Sequence, residues 1–145
     1  MQTRLSKIIF YGLGKIAAVI CAIPYIGKSL VSALWKFSAT VVFKVLFLFR
    51  NKPHSNIQEV KTAWHSFLAL CGIYPHISKE EDDQYFWFMD TCPYGLCTNK
   101  EKDVCDAVME FDRTYTRLLG GRLEIVDCIP DGADKCRYIT RICLP

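Results

Sequence analysis

Lys102–Leu119 reads KDVCDAVMEFDRTYTRLL, and the spacing of its apolar residues is the firmest structural signal in the chain. Val104, Val108, Phe111, Tyr115 and Leu118 recur at helical spacing and predict one core-facing stripe. Gly120-Gly121 supplies the stop, since glycine alone enters the left-handed conformation without strain. Downstream, RLEIVDCI and CRYITRICL flank PDGADK, two β-prone runs around a Pro-Asp-Gly turn, which predicts a hairpin. Upstream, Tyr85, Trp87 and Met89 alternate with Phe86, Phe88 and Asp90, the two-residue period of a strand. ISKEEDD before it, rich in acids, reads as a solvated turn or helix start. EVKTAWHSFLALCGIY carries Val60, Trp64, Phe67, Leu68 and Cys71 on one helical stripe. These elements predict an α/β (α+β) domain over residues 57–145, a small antiparallel sheet with packed helices.

Charge divides the 145-residue chain sharply. Residues 1–58 hold eight Lys/Arg and no acid, whereas all fifteen Asp/Glu lie from Glu59 onward against ten Lys/Arg. The basic part is also apolar, and lysines at 15, 28, 36 and 44 punctuate it. A spanning helix needs about 20 apolar residues, and a charge at the bilayer centre costs roughly 2.5–3.5 kcal/mol. Two apolar helices, about 5–22 and 26–49, broken near Pro24, fit this pattern better than one clean span. Their lysines would snorkel to anionic headgroups on a cytoplasmic membrane face. Residues 1–50 are therefore expected to associate with a membrane, with a polar linker at 51–56. Burial as a subunit contact in a larger complex is the alternative. No small-residue cleavage site follows the apolar run, so it does not read as a cleavable leader. Nucleic-acid binding is not expected, because the basic half is too apolar and the domain itself is acidic.

Eight cysteines are many for this length. DTCPYGLCTNKEKDVC, residues 90–105, brings three of them close together, and Cys128, Cys136 and Cys143 follow in the closing hairpin. An even count permits a disulfide framework, whereas a cytoplasmic domain favours metal binding or thiol chemistry. No Cys-x2-Cys is present, so a zinc or iron–sulfur site would have to be assembled from separate elements, with Cys92, Cys97, Cys105 and Cys136 as its ligands. A turn centred on Gly132 places Cys128 opposite Cys136. For catalysis, Cys92 is the candidate nucleophile or ligand and Asp112 the candidate acid/base. Cys105, Met109, Asp112 and Thr116 step along one flank of the 102–119 helix, so Cys105 and Asp112 are expected to face a common pocket. Cys21, Cys71 and Cys143 read as small core hydrophobes.

Residues 87–141 resemble the family of L-2-amino-thiazoline-4-carboxylic acid hydrolases. The resemblance rests on Trp87, Cys92-Pro93-Tyr94, Cys105, Asp112, Gly132, Cys136 and Tyr138, where a strand enters Cys-Pro-Tyr and the chain ends in Gly-x-x-x-Cys-x-aromatic. It implies a cysteine-lined pocket made by Cys92, Cys105, Asp112 and Cys136, and hydrolytic opening of a small sulfur- and nitrogen-containing ring or an amide-like bond. The ending is also similar to vinyl-reductase-type (4VR) domains, which bind small molecules rather than hydrolyse them. Cys97 and Cys128 lie outside the pattern. Two functional expectations follow. One is a membrane-associated hydrolase-like protein; the other is a non-catalytic metal or iron–sulfur module, or an accessory subunit of a membrane complex. Cys97 discriminates: turned inward it would complete a four-thiolate site, and turned to solvent it leaves a reactive or ligand-binding pocket.

Overall fold

The computed structural model describes residues 4–46 and 53–143. The expected residues 47–49 of the second helix and the first two of the 51–56 linker lie outside them. Two antiparallel-looking apolar segments come first, α1 (Arg4–Cys21) and α2 (Gly27–Leu46), separated at Pro24 by a turn in which Tyr25 takes a positive φ of 66°. The α+β part follows as α3 (Ile57–Leu70), β1 (His76–Glu80), β2 (Gln84–Met89), α4 (Lys102–Val108), α5 (Glu110–Leu119), β3 (Gly121–Asp127) and β4 (Cys136–Ile142). Its four strands form one antiparallel sheet in the order β1-β2-β4-β3. The fold class is α+β, as the pattern of helices and strands predicts.

Local chemistry explains the elements. Asn56 caps α3, its side-chain oxygen accepting the Glu59 N–H at 2.9 Å, which satisfies one of the free amides of the first turn. Ile57, Val60, Trp64 and Leu68 are the buried stripe of that helix. On β4, Cys136, Tyr138 and Thr140 point to the core while Arg137 and Arg141 face out, the alternation a half-buried strand requires. Trp87 stacks on its cross-strand partner Tyr138 at 4.2 Å between ring centroids and donates its indole N–H to Thr140 Oγ1 at 3.0 Å. Around Tyr115 an aromatic core assembles: Phe67 stacks on it at 4.5 Å and Trp64 tilts against it at 5.5 Å.

Three local readings differ from the sequence expectation. The acid-rich stretch forms strand β1 and the turn into β2, with Glu81 N–H donating to the Gln84 carbonyl at 2.8 Å. Every side chain of β1 is exposed, so the edge strand shows none of the alternation that would reveal it. The 102–119 helix is interrupted at Met109, where ψ opens to −10°, away from the helical value near −42°. The hydrogen-bond ladder still crosses it, Met109 N–H donating to the Cys105 carbonyl and Arg113 N–H to the Met109 carbonyl, both at 3.0 Å, and Tyr138 feels both Cys105 and Asp112.

The third difference concerns the basic half. α1 and α2 lie against α4 and α5, with Ala17, Val31 and Ala39 fully buried in the contact. Lys28 pairs with Asp103 at 2.7 Å and Asp106 at 3.6 Å, Lys36 with Glu110 at 3.2 Å, and Lys15 approaches Glu101 at 3.9 Å. Three of the eight basic residues of the first 58 thus meet acids in or just before α4 and α5. Gly14 sets the closeness of approach: a Cβ there would stand 2.4 Å from the Tyr94 carbonyl oxygen.

Candidate functional site

Because the N-terminal helices dock on the domain, they roof a cavity of about 460 Å³. Its walls come from α1 (Phe10, Leu13), α2 (Leu34, Trp35), α3 (Phe67, Cys71), β2 (Trp87), the following loop (Tyr94) and α5 (Phe111, Asp112). Volumes of about 300–1,000 Å³ are usual for small-molecule sites. The lining is apolar and aromatic, and Asp112 is its single ionisable acid. A larger depression of about 680 Å³ runs along α3 past Asn56, Glu59 and Leu70, and its lining contains no cysteine.

Asp112 is set in this wall by the register of α5, one residue before Arg113. Burial pushes its carboxyl up from 3.8 to about 7, and Arg113 pulls only partly the other way. The Arg113 guanidinium is committed elsewhere, to Glu110 at 2.8 Å and to the Asp106 carbonyl at 3.3 Å. Among the described residues no side chain donates a hydrogen bond to the Asp112 carboxyl. Cys71 ends α3 at the same cavity, its thiol raised by burial and then by the nearby Asp112 carboxyl. Tyr94 is held through a hydrogen bond with the Trp35 side chain, and burial raises its phenol well above 10.

The predicted cysteines differ in exposure but several are neighbours. Cys105, Cys128 and Cys136 are buried, and Cys105 feels Cys92, Cys128 and Cys136 as neighbouring thiols. Cys128 donates to Asp131 Oδ2 at 3.0 Å and sits at about 11, pushed up chiefly by burial. Cys92 also stands at about 11, raised by burial, although the Leu96 and Tyr94 amides pull it down. It lines a depression of about 610 Å³ that α1 closes with Ile8 and Tyr11. Cys97 is exposed. All eight cysteines are free thiols, and among the described residues no three His, Cys, Asp or Glu side chains are grouped to hold a metal ion.

Several candidate residues are neighbours, Cys105 feeling Cys92 and Cys136, and Cys92 feeling Cys136 and Cys97, but they open on different surfaces. Asp112 faces the apolar cavity, Cys92 opens on the neighbouring depression, Cys105 and Cys136 are packed beneath it, and Cys97 faces solvent. Sequence reasoning missed Cys71, Trp35 and the α1 residues as parts of a site. Cys71 closes a helical stripe and so reads as core. Only the docking of α1 and α2 turns that stripe into a cavity wall.

The outer flank of the roof is a second feature. Val19 of α1 and Phe37 of α2 are 73 % and 69 % exposed, and Val45 at the end of α2 is exposed as well. By length and composition α2, with 20 residues, would suffice to cross a membrane.

No known protein-family model matches the sequence, and no curated protein is similar to it. Solved structures share the fold. A trafficking protein particle complex subunit 3 from Naegleria fowleri, covalently bound to palmitic acid, superposes with a TM-score of 0.63 at 10 % identity, covering 94 % of each chain. The phenol-responsive sensory domain of the transcription activator PoxR, with phenol, superposes with a TM-score of 0.57 at 10 % identity, covering 92 % of this chain and 74 % of that one. At this identity the likeness is one of fold.

Proposed function

We propose that the chain is a small-molecule-binding domain that holds an apolar ligand between its N-terminal helices and its sheet, and that it works as a subunit of a protein assembly. The observation that carries the reading is the cavity of about 460 Å³, roofed by α1 and α2 and lined by aromatic side chains. Burying an apolar ligand there gains about 25 cal/mol for each Å² removed from water. Both structural neighbours are described with a ligand, one an acyl chain and one an aromatic ring. The solvent-facing Cys97 favours a ligand pocket over a four-thiolate centre. The assembly part rests on the apolar flank of α1 and α2. Their lysines at 15, 28 and 36 pair with acids of the same chain, which leaves them less able to seat the flank on anionic headgroups and favours a protein partner. The trafficking neighbour is itself a subunit of a complex.

The test is direct binding. Octanol should quench or shift tryptophan emission saturably with one site per chain, since Trp35 and Trp87 line the cavity. Cys71→Phe, which fills the cavity, should abolish this while circular dichroism still reports a folded chain. Unsaturable partitioning, or unchanged binding in that variant, would sink the reading. Light scattering of the purified chain together with liposome flotation separates a protein-facing flank from a membrane-facing one.

A second reading keeps the hydrolase-like chemistry at Cys92, because that thiol opens on a depression of its own beside α1. Its raised pKa means that a substrate group or neighbouring base would have to take the proton before attack. Turnover of a cyclic thio-amide that disappears in Cys92→Ser, with binding at the apolar cavity intact, would establish it.

A further inference from the structure

The cavity is not merely apolar. Six aromatic side chains, Phe10, Trp35, Phe67, Trp87, Tyr94 and Phe111, contribute to its walls, and one carboxyl, Asp112, enters it without a hydrogen-bond donor among the described residues. A ligand that fills the cavity displaces water from this carboxyl and leaves it unpartnered unless the ligand brings a partner of its own. Aromatic faces attract cations through their quadrupoles, and the attraction strengthens once water is excluded. A carboxylate and an aromatic enclosure together present one sign of charge to an incoming head group.

We propose that the cavity selects amphiphiles with a protonated amine head, the ammonium pairing with Asp112 while the hydrocarbon body fills the aromatic walls. This rests on the small-molecule reading above and narrows it to a ligand class. No lysine, arginine or histidine lines the cavity to balance an anionic head. Arg113, the cation that acts on Asp112, is already engaged by Glu110. The other titratable groups facing Asp112 are Cys71 from α3, Tyr94 from the loop after β2 and Tyr138 from β4. All three are held in their neutral form by burial, so none supplies a positive charge. An alkyl carboxylate would meet Asp112 as a like charge, and an alcohol would make a hydrogen bond but leave the charge unpaired.

The experiment compares three ligands of one chain length, n-octylamine, 1-octanol and octanoate, by calorimetry on the full chain at pH 8. The amine should bind at least tenfold tighter than the alcohol, and octanoate weakest. In Asp112→Asn the amine-to-alcohol ratio should fall to near one, with most of the change on the amine. Trp35→Leu should weaken the amine more than the alcohol, as loss of an aromatic face predicts. Lowering the pH to 5, where Asp112 is protonated, should erase the preference in the native chain. Saturable binding of all three with equal affinity, or a preference that survives in Asp112→Asn, would overturn the head-group inference and leave the apolar-ligand reading standing. If none of the three binds, both fail together.

Discussion

Replacing Asp112 by Asn removes the one ionisable acid from the apolar cavity while changing the side-chain volume little. The folded carboxyl titrates at about 7 instead of 3.8, because burial disfavours its charge. The folded state therefore binds more protons than the unfolded state between these values, and stability falls as pH rises through that window. Below about pH 4 both states are protonated, and above about pH 7 both are ionised, so the loss levels off. A full rise of this size corresponds to about 4 kcal/mol, of which about 2–3 kcal/mol is lost between pH 5 and pH 8. For a chain of this length that is roughly 8 °C in midpoint. Thermal melts followed by circular dichroism at pH 5 and pH 8 should show the decline in the native chain and a much flatter profile in Asp112→Asn. The variant should be the more stable of the two at pH 8. Parallel pH profiles for the two proteins would refute the reasoning, because they would mean that Asp112 is solvated or compensated in the folded state.

Three further outcomes follow from the same geometry. Gly14→Val should push α1 off the Tyr94 backbone, since even a Cβ would stand 2.4 Å from that carbonyl oxygen. Limited proteolysis should then cut near α1 sooner, and octanol binding should weaken. Lys28→Glu should turn two attractions to Asp103 and Asp106 into repulsions. Surface pairs contribute roughly 1 kcal/mol or less each, so the midpoint in urea should drop modestly, most at low salt, and Asp103→Lys should restore it. Under native conditions at pH 8, a colorimetric thiol reagent should label Cys97 and Cys143 first, because both are exposed, and Cys105, Cys128 and Cys136 only on unfolding. Fast labelling of Cys136 would show that the sheet end is open.

Most of the secondary structure was legible in the sequence because its signals are local. The 3.6-residue stripe from Val104 to Leu118, the alternation from Tyr85 to Met89, the break at Pro24 and the stop at Gly120 each depend on a few neighbouring residues. β1 was not legible, since an edge strand with every side chain exposed carries no alternation. Nor was the interruption at Met109, which leaves the apolar stripe intact.

By itself the sequence determined the fold class and the order of most elements, because period and turn chemistry are written in adjacent residues. It also showed the division into a basic, apolar first half and an acidic remainder. Tertiary structure alone brings Lys15, Lys28 and Lys36 onto Glu101, Asp103, Asp106 and Glu110, residues scores of positions away. That closure makes Cys71, a core residue by pattern, part of a cavity wall, and leaves Asp112 as a lone carboxyl among aromatic rings. No local pattern encodes a cavity, since its walls come from six segments whose approach is fixed only by packing.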